Sequence, residues 1–238
     1  MRITGLKKYK YKYDLHVHTS PVSVCADFSP EETIRKYKDA GFNGFVLTNH
    51  FTPLGLSKQP SKEAFTAYFL SDYYKAKDAG EKLGFDILLG IEIRFPENGN
   101  DYLVYGISED DIRTCADYLG SDLKTFYREF KSDKNIIIQA HPFRDNITLA
   151  DIDYLDGIEV FNMHPGHNPR IGLAAKLASE NPRLLTTGGT DFHHENHQGM
   201  CAVCTSRRMT DSYDVAEIIS SREFVFDVWG NKIIPNQF

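Results

Sequence analysis

Short apolar runs recur along the chain, separated by stretches whose apolar positions repeat every three to four residues. The runs are DLHVH (14–18), GFVLT (44–48), FDILLGIEI (85–93), DYLVYGI (101–107), NIIIQA (135–140), GIEVFN (157–162), LLTTGG (184–189) and FVFDVWG (224–230). Their length and β-branched and aromatic content predict strands. Between them the helical spacing predicts helices in SPEETIRKYKDAG (29–41), KEAFTAYFLSDYYKAKDAGEKLG (62–84), SDLKTFYREFKSD (121–133), NPRIGLAAKLASEN (168–181) and TDSYDVAEIISSRE (210–223). The first has a full start and stop: Ser29 as N-cap, Pro30 in the first turn, Glu32 three residues on, and Gly41 at the end. Apolar strands alternating with helices predict a parallel α/β sheet covered by helices. The number of units points to a closed barrel. A doubly wound sheet would place a glycine-rich phosphate loop after an early strand, and the first strand here ends in HVHTS.

The strand ends carry the chemistry. His16 and His18 are two apart and therefore share a face of the first strand. The later runs lead to His50, Glu92, His141, the pair His164 and His167, and then Asp191 and His193. Core packing does not ask for histidine or carboxylate at one strand end after another. In a parallel barrel these ends converge on one rim, and divalent cations supply the charge that such a set needs.

The motifs DLHVHT (14–19), TNH (48–50), GIE (90–92), AHP (140–142) and GTDFH (189–193), in this order, resemble the PHP family, named for polymerase and histidinol phosphatase. The resemblance runs from Tyr13 to about Arg222. It implies a distorted seven-stranded, TIM-like β/α barrel and two or three divalent metals (Zn, Mn or Fe) serving phosphoester hydrolysis. It also implies that His16, His18 and Asp191 hold one metal with Glu92. Glu92 would bridge to a second metal on His141 and His164. His50 and His193 would hold a third, helped by the loop after the first strand. His164 is preferred to His167 because it lies nearer its strand end. In the loop Asp27 occupies the position of a ligand, and Cys25 is a rival. Asn49 stands where the second motif often has aspartate, and is expected to orient a ligand rather than bind. His194 and His197 read as solvated loop residues.

The expected reaction is attack of a metal-activated water on a small phosphomonoester, histidinol-phosphate-like or a nucleotide phosphate. Glu92, Asp191 and His193 would serve the catalytic centre, and Arg94 or Arg144 would hold the phosphoryl oxygens. Rival readings are an exonuclease-type phosphodiesterase of the same family, an amidohydrolase-like enzyme and a non-catalytic regulatory module. The amidohydrolase reading wants a strand-end lysine as bridging ligand, and the inner runs end in none.

Composition narrows the partners. A formal net charge of −6 over 238 residues lacks the broad basic surface of a nucleic-acid binder, so no stable nucleic-acid partner is expected. No apolar run approaches the ~20 residues of a membrane span, and the basic N-terminus lacks the apolar core of a signal peptide. The expectation is one cytoplasmic domain over 1–238, with its four cysteines reduced. Cys201 and Cys204 form a lone CxxC in a run that reads as a buried strand, with the two facing opposite sides.

Overall fold

The computed structural model describes residues 5–235. The first four residues of the basic N-terminal stretch lie outside it. Among the described residues, twelve strands form two six-stranded sheets. One sheet has β1 (Tyr11–Val17) at its centre. On one side β1 pairs in parallel with β2 (Gly44–Leu47), which pairs in parallel with β4 (Asp86–Leu89). On the other side lie β10 (Cys201–Thr205), β11 (Phe224–Val228) and β12 (Asn231–Ile233), all antiparallel. The second sheet runs β3 (His50–Phe51), β5 (Ile91–Arg94), β6 (Asp101–Tyr105), β7 (Ile136–Gln139), β8 (Gly157–Asn162) and β9 (Leu185–Gly189).

The sheets are linked at both margins. The chain leaves β2 for β3, and β4 for β5, so the single run FDILLGIEI belongs to both sheets. The crossing falls at Gly90, where a Cβ would stand 2.7 Å from Val46 Cγ1, so any side chain would require Val46 to shift. At the far margin Phe192, just past β9, bridges to Val17. Its N–H donates to the His16 carbonyl (3.2 Å), and its own carbonyl accepts from the His18 N–H (3.1 Å).

The helices are α1 (Pro30–Asp39), α2 (Pro53–Ser57), α3 (Lys62–Leu83), α4 (Glu109–Cys115), α5 (Leu123–Phe130), α6 (Ile171–Glu180) and α7 (Ser212–Ser221). Helix α1 begins with the expected capping box: Ser29 Oγ accepts from the Glu32 N–H, and the Glu32 carboxylate accepts from the Ser29 N–H. Helix α4, which the apolar spacing does not single out, carries a second box from Ser108 and Asp111. Strand residues alternate between two apolar clusters. Phe45 and Leu47 face the helices, beside Ile34, Phe69 and Phe126, while Val46 joins Leu15, Leu103 and Ile138 against Val215 and Ile219 of α7. Burial on both faces explains the unbroken apolar runs.

The expectation of a wholly parallel sheet fails at β6, which runs antiparallel to both β5 and β7. The dozen or so residues of a parallel crossover do not separate β5 from β6, so a short return is the available path. The CxxC run is β10, with both cysteines buried, and all four cysteines are unpaired. Among the described residues, no helix is long and apolar enough to cross a membrane.

Candidate metal centre

Histidines and carboxylates meet where β1, β3, β5, β7 and the turn after β9 end. Among the described residues, three groups have ligand atoms within 4.8 Å of one another: His16, His18 and Asp191; Glu92, Asp101 and His141; and His18, His50 and His193. Glu92 sits at the middle. Its oxygens approach His16 Nε2 (3.2 Å), His141 Nε2 (3.1 Å), His50 Nδ1 (2.6 Å) and His18 Nε2 (3.5 Å). Asp191 Oδ1 lies 3.5 and 3.4 Å from the Nε2 atoms of His16 and His18. All these side chains are buried except His50, which is partly exposed.

Neighbouring residues set which imidazole nitrogen is free. His16 Nδ1 lies 2.9 Å from Glu159 Oε1, a carboxylate that can only accept, so a proton sits on Nδ1 and Nε2 is the atom that faces Glu92 and Asp191. The Ser23 hydroxyl donates to Asn49 Oδ1 (2.9 Å) and therefore accepts from His18 Nδ1 (3.1 Å). His193 Nδ1 donates to the Asp191 carbonyl (3.0 Å). Each ring thus spends Nδ1 on a fixed neighbour and leaves Nε2 as the ligand atom on offer. Asn49 works through Ser23 and also anchors the Thr19 N–H (2.7 Å), so it orients His18 without itself reaching the cluster. His141 and Asp191 both have positive φ, at 32° and 55°. These turns aim the side chains inward at some backbone cost.

The electrostatics fit a cation. Burial alone would push the carboxyls of Glu92 and Asp191 up. The imidazoles around them, His16 first, hold both well below the ordinary range. Burial opposes charging of His16, yet Glu159, Asp191 and Glu92 raise its imidazole well above its usual value. His18, buried and beside His193 and His50, is driven down. His16 Nε2, His18 Nε2, His50 Nδ1 and Glu92 Oε2 are buried without a hydrogen-bond partner. The 2.6 Å approach of His50 to Glu92 is close, but it does not meet the alignment of a hydrogen bond. Orphaned buried atoms of this kind converging on one point are what divalent metal ligands look like before their ion is counted.

Several expected residues sit elsewhere. The Asp27 carboxylate is half exposed and lies 3.0 Å from His194 Nδ1, away from the three groups. Cys25 is the loop residue that reaches His50 and His193. Burial pushes its thiol up, but hydrogen bonds with those two histidines outweigh this and bring it to about 6. His164 is also outside the groups; the Gly166 N–H donates to its Nδ1 (3.0 Å) and so leaves the ring proton on Nε2. His167 packs against His164, and His197 lies 5.2 Å from it, ring to ring. Arg94 is engaged by Asp101 through two bonds of 2.7 Å, whereas Arg144 makes a single 3.3 Å contact with Asp191 Oδ2. Both arginines line the pocket of about 230 Å³ above the cluster.

Asp101 and Glu159 escaped the sequence reading. Asp101 opens a strand, where a parallel arrangement would put it at the opposite end from the site. The antiparallel pairing of Arg94 with Asp101 carries it to the rim. Glu159 sits in mid-strand, and the odd charge within GIEVFN was the signal available for it.

A buried nest of inward-turned histidines and carboxylates at strand ends defines a metal-binding α/β protein. The chain belongs to the PHP family: the PHP domain model matches residues 14–214. Solved structures agree at the level of the fold. A two-domain protein from Bacteroides vulgatus containing a predicted PHP-like metal-dependent phosphoesterase is 20% identical, with a TM-score of 0.64, covering 92% of this chain and 64% of the other. The lesion-specific endonuclease PfuEndoQ from Pyrococcus furiosus is 13% identical, with a TM-score of 0.55, covering 89% and 56%. An amidohydrolase from Chromobacterium violaceum, solved with sulfate and no metal, is 15% identical, with a TM-score of 0.51, covering 78% and 89%. No curated protein matches the sequence.

Proposed function

We propose that the protein is a metal-dependent phosphoesterase acting on small phosphomonoesters. The observation that carries this is the convergence of the buried, unpartnered His16 Nε2, His18 Nε2, His50 Nδ1 and Glu92 Oε2 beneath a pocket lined by two arginines. In this reading the two sheets form one distorted barrel, with β2–β3 and β4–β5 each filling one of its seven places. His16, His18 and Asp191 would hold one divalent ion (Zn, Mn or Fe), with Glu92 shared. His141 and Asp101 would complete the second, and His50, His193 and Cys25 would surround the third position. Bound metals would lower the pKa of a water and polarise the phosphoryl oxygens.

The chain's own groups do the rest. Arg144, lightly held, is free to pair with a phosphoryl oxygen, while Arg94 is fixed by Asp101 and shapes the wall. His164 presents an Nε2–H at the rim and can donate a hydrogen bond to a non-bridging phosphoryl oxygen. Burial lowers its pKa to about 4, which makes the neutral ring the resting form. A pocket of about 230 Å³ lies below the ~300–1,000 Å³ of sites for drug-sized ligands, which favours a small ester over a polynucleotide.

The test combines elemental analysis with phosphate release. Protein reconstituted with Zn, Mn or Fe should retain two or three equivalents and hydrolyse simple phosphomonoesters. Retention of less than one equivalent, or faster cleavage of single-stranded DNA than of any monoester, would overturn the proposal.

A further inference from the structure

A second cleft, of about 240 Å³, opens beside the metal pocket and shares two wall residues with it, His50 and Arg94. It lies between the loop after β1 and helix α2, the two segments that follow the ligand-bearing strands β1 and β3. Its floor is Phe65, which is buried and packs on Phe51 with ring centroids 4.7 Å apart. Its lips are Val24 and Leu54, 77% and 66% exposed. Single exposed apolar residues are ordinary, but two facing each other across a cleft with an aromatic floor make a built apolar surface.

The walls are held in place. The Tyr68 hydroxyl donates to the Pro21 carbonyl (2.9 Å) and ties α3 to the loop. Thr52 Oγ1 accepts from the Gly55 N–H (3.1 Å) and fixes the start of α2. Glycine at 55 keeps the floor open, since a Cβ there would come within 3.1 Å of the Phe65 ring. The charged residues lining the cleft, Lys58 and Arg94, are cations, and no carboxylate lines it. An ammonium group entering it would find no carboxylate in the wall to pair with and would meet the like charge of Lys58.

Building on the phosphoesterase reading, we infer that this cleft receives the leaving group of the ester and selects an uncharged ring over an ammonium-bearing chain. A phosphoryl group above the metal ligands would have its ester oxygen directed past His50 and Arg94, the residues common to both cavities. Burial of apolar surface would then favour a ring.

Three alkyl monoesters with similar alcohol leaving groups separate this from intrinsic reactivity: 2-phenylethyl, propyl and 3-aminopropyl phosphate. With the metal-loaded full chain, kcat/KM should be at least tenfold higher for the phenylethyl ester than for the propyl ester, and lowest for the aminopropyl ester. Leu54→Asp and Val24→Asp, both at exposed positions, should each cut the phenylethyl value at least fivefold and leave the propyl value within twofold. Equal values for phenylethyl and propyl esters, or parallel losses on both, would overturn the inference. Calorimetry with 3-phenylpropylphosphonate and butylphosphonate tests the cleft without turnover. At least tenfold tighter binding of the ring compound is expected, and equal affinity overturns the subsite. Tighter ring binding with no ester hydrolysed would sink the phosphoesterase reading and leave the subsite standing.

Discussion

Glu159→Gln is the most informative single change, because it alters hydrogen-bond polarity with almost no change in shape. The carboxylate accepts from three buried donors: His16 Nδ1 (2.9 Å), the His141 N–H (3.0 Å) and Asn162 Nδ2 (2.9 Å). A glutamine amide offers one acceptor and one donor. With its oxygen toward His16, its NH₂ faces the His141 N–H and Asn162. With the amide flipped, His16 must move its proton to Nε2, the atom that faces Asp191 and Glu92. The first arrangement leaves buried donors unpaired at about 1–3 kcal/mol each, and the second blocks a metal ligand. Changes of this kind behind a metal ligand typically cost about 10–100-fold in affinity. Competition with a chromophoric chelator should show a loss in that range. The metal-free variant should also melt lower, by about 2–4 °C per kcal/mol for a chain of this size. Wild-type metal affinity together with an unchanged Tm would refute the assigned His16 tautomer.

Other expectations follow from the same geometry. Arg144→Ala should lower kcat/KM for a monoester at least tenfold while metal content stays at the wild-type level. Arg94→Ala should instead reduce metal retention, because it frees Asp101; the opposite pattern would reverse the roles given to the two arginines. Asp27→Asn should leave metal stoichiometry unchanged, whereas Cys25→Ser should weaken the most labile ion; equal effects in a chelator titration would count against Cys25. His164, held by burial at about 4 against an ordinary 6.5, contributes stability that is complete above pH 6.5 and lost as pH falls toward 4. This amounts to at most about 3 kcal/mol. Metal-free wild type should therefore lose stability more steeply over that window than His164→Asn in denaturant titrations, and parallel curves would contradict the neutral ring.

Much of this molecule is legible in its sequence, and the reasons for the gaps are specific. Buried strands show as unbroken apolar runs, and α1 announces itself through Ser29, Pro30 and Glu32. The histidines of the site stand at strand ends, where periodicity can find them. What spacing cannot supply is direction. Asp101 reaches the rim because β6 runs backwards, and pairing is a property of two segments rather than one. Gly90 likewise marks a crossing between sheets that looks, in one dimension, like the middle of a strand. The difference between Asp27 and Cys25 turns on how a loop folds over His50 and His193, and no local pattern encodes it. The tautomer of His164 depends on a backbone N–H two residues away, which becomes visible only once the turn is built.

The seam where Phe192 bridges to Val17 joins segments near opposite ends of the chain, and His16 and Asp191 flank it. An ion held by both, as proposed, would shut most of the polypeptide into one loop. By analogy with a covalent cross-link, closing a loop of about 100 residues takes some 4–5 kcal/mol of freedom from the denatured ensemble, and longer loops add to this slowly. The first strand could not then peel away while the ion stayed, nor could the ion leave without loosening the join between the sheets. Metal uptake and the last step of folding would be a single event, and the chain's resistance to unfolding would be set as much by ion supply as by its core.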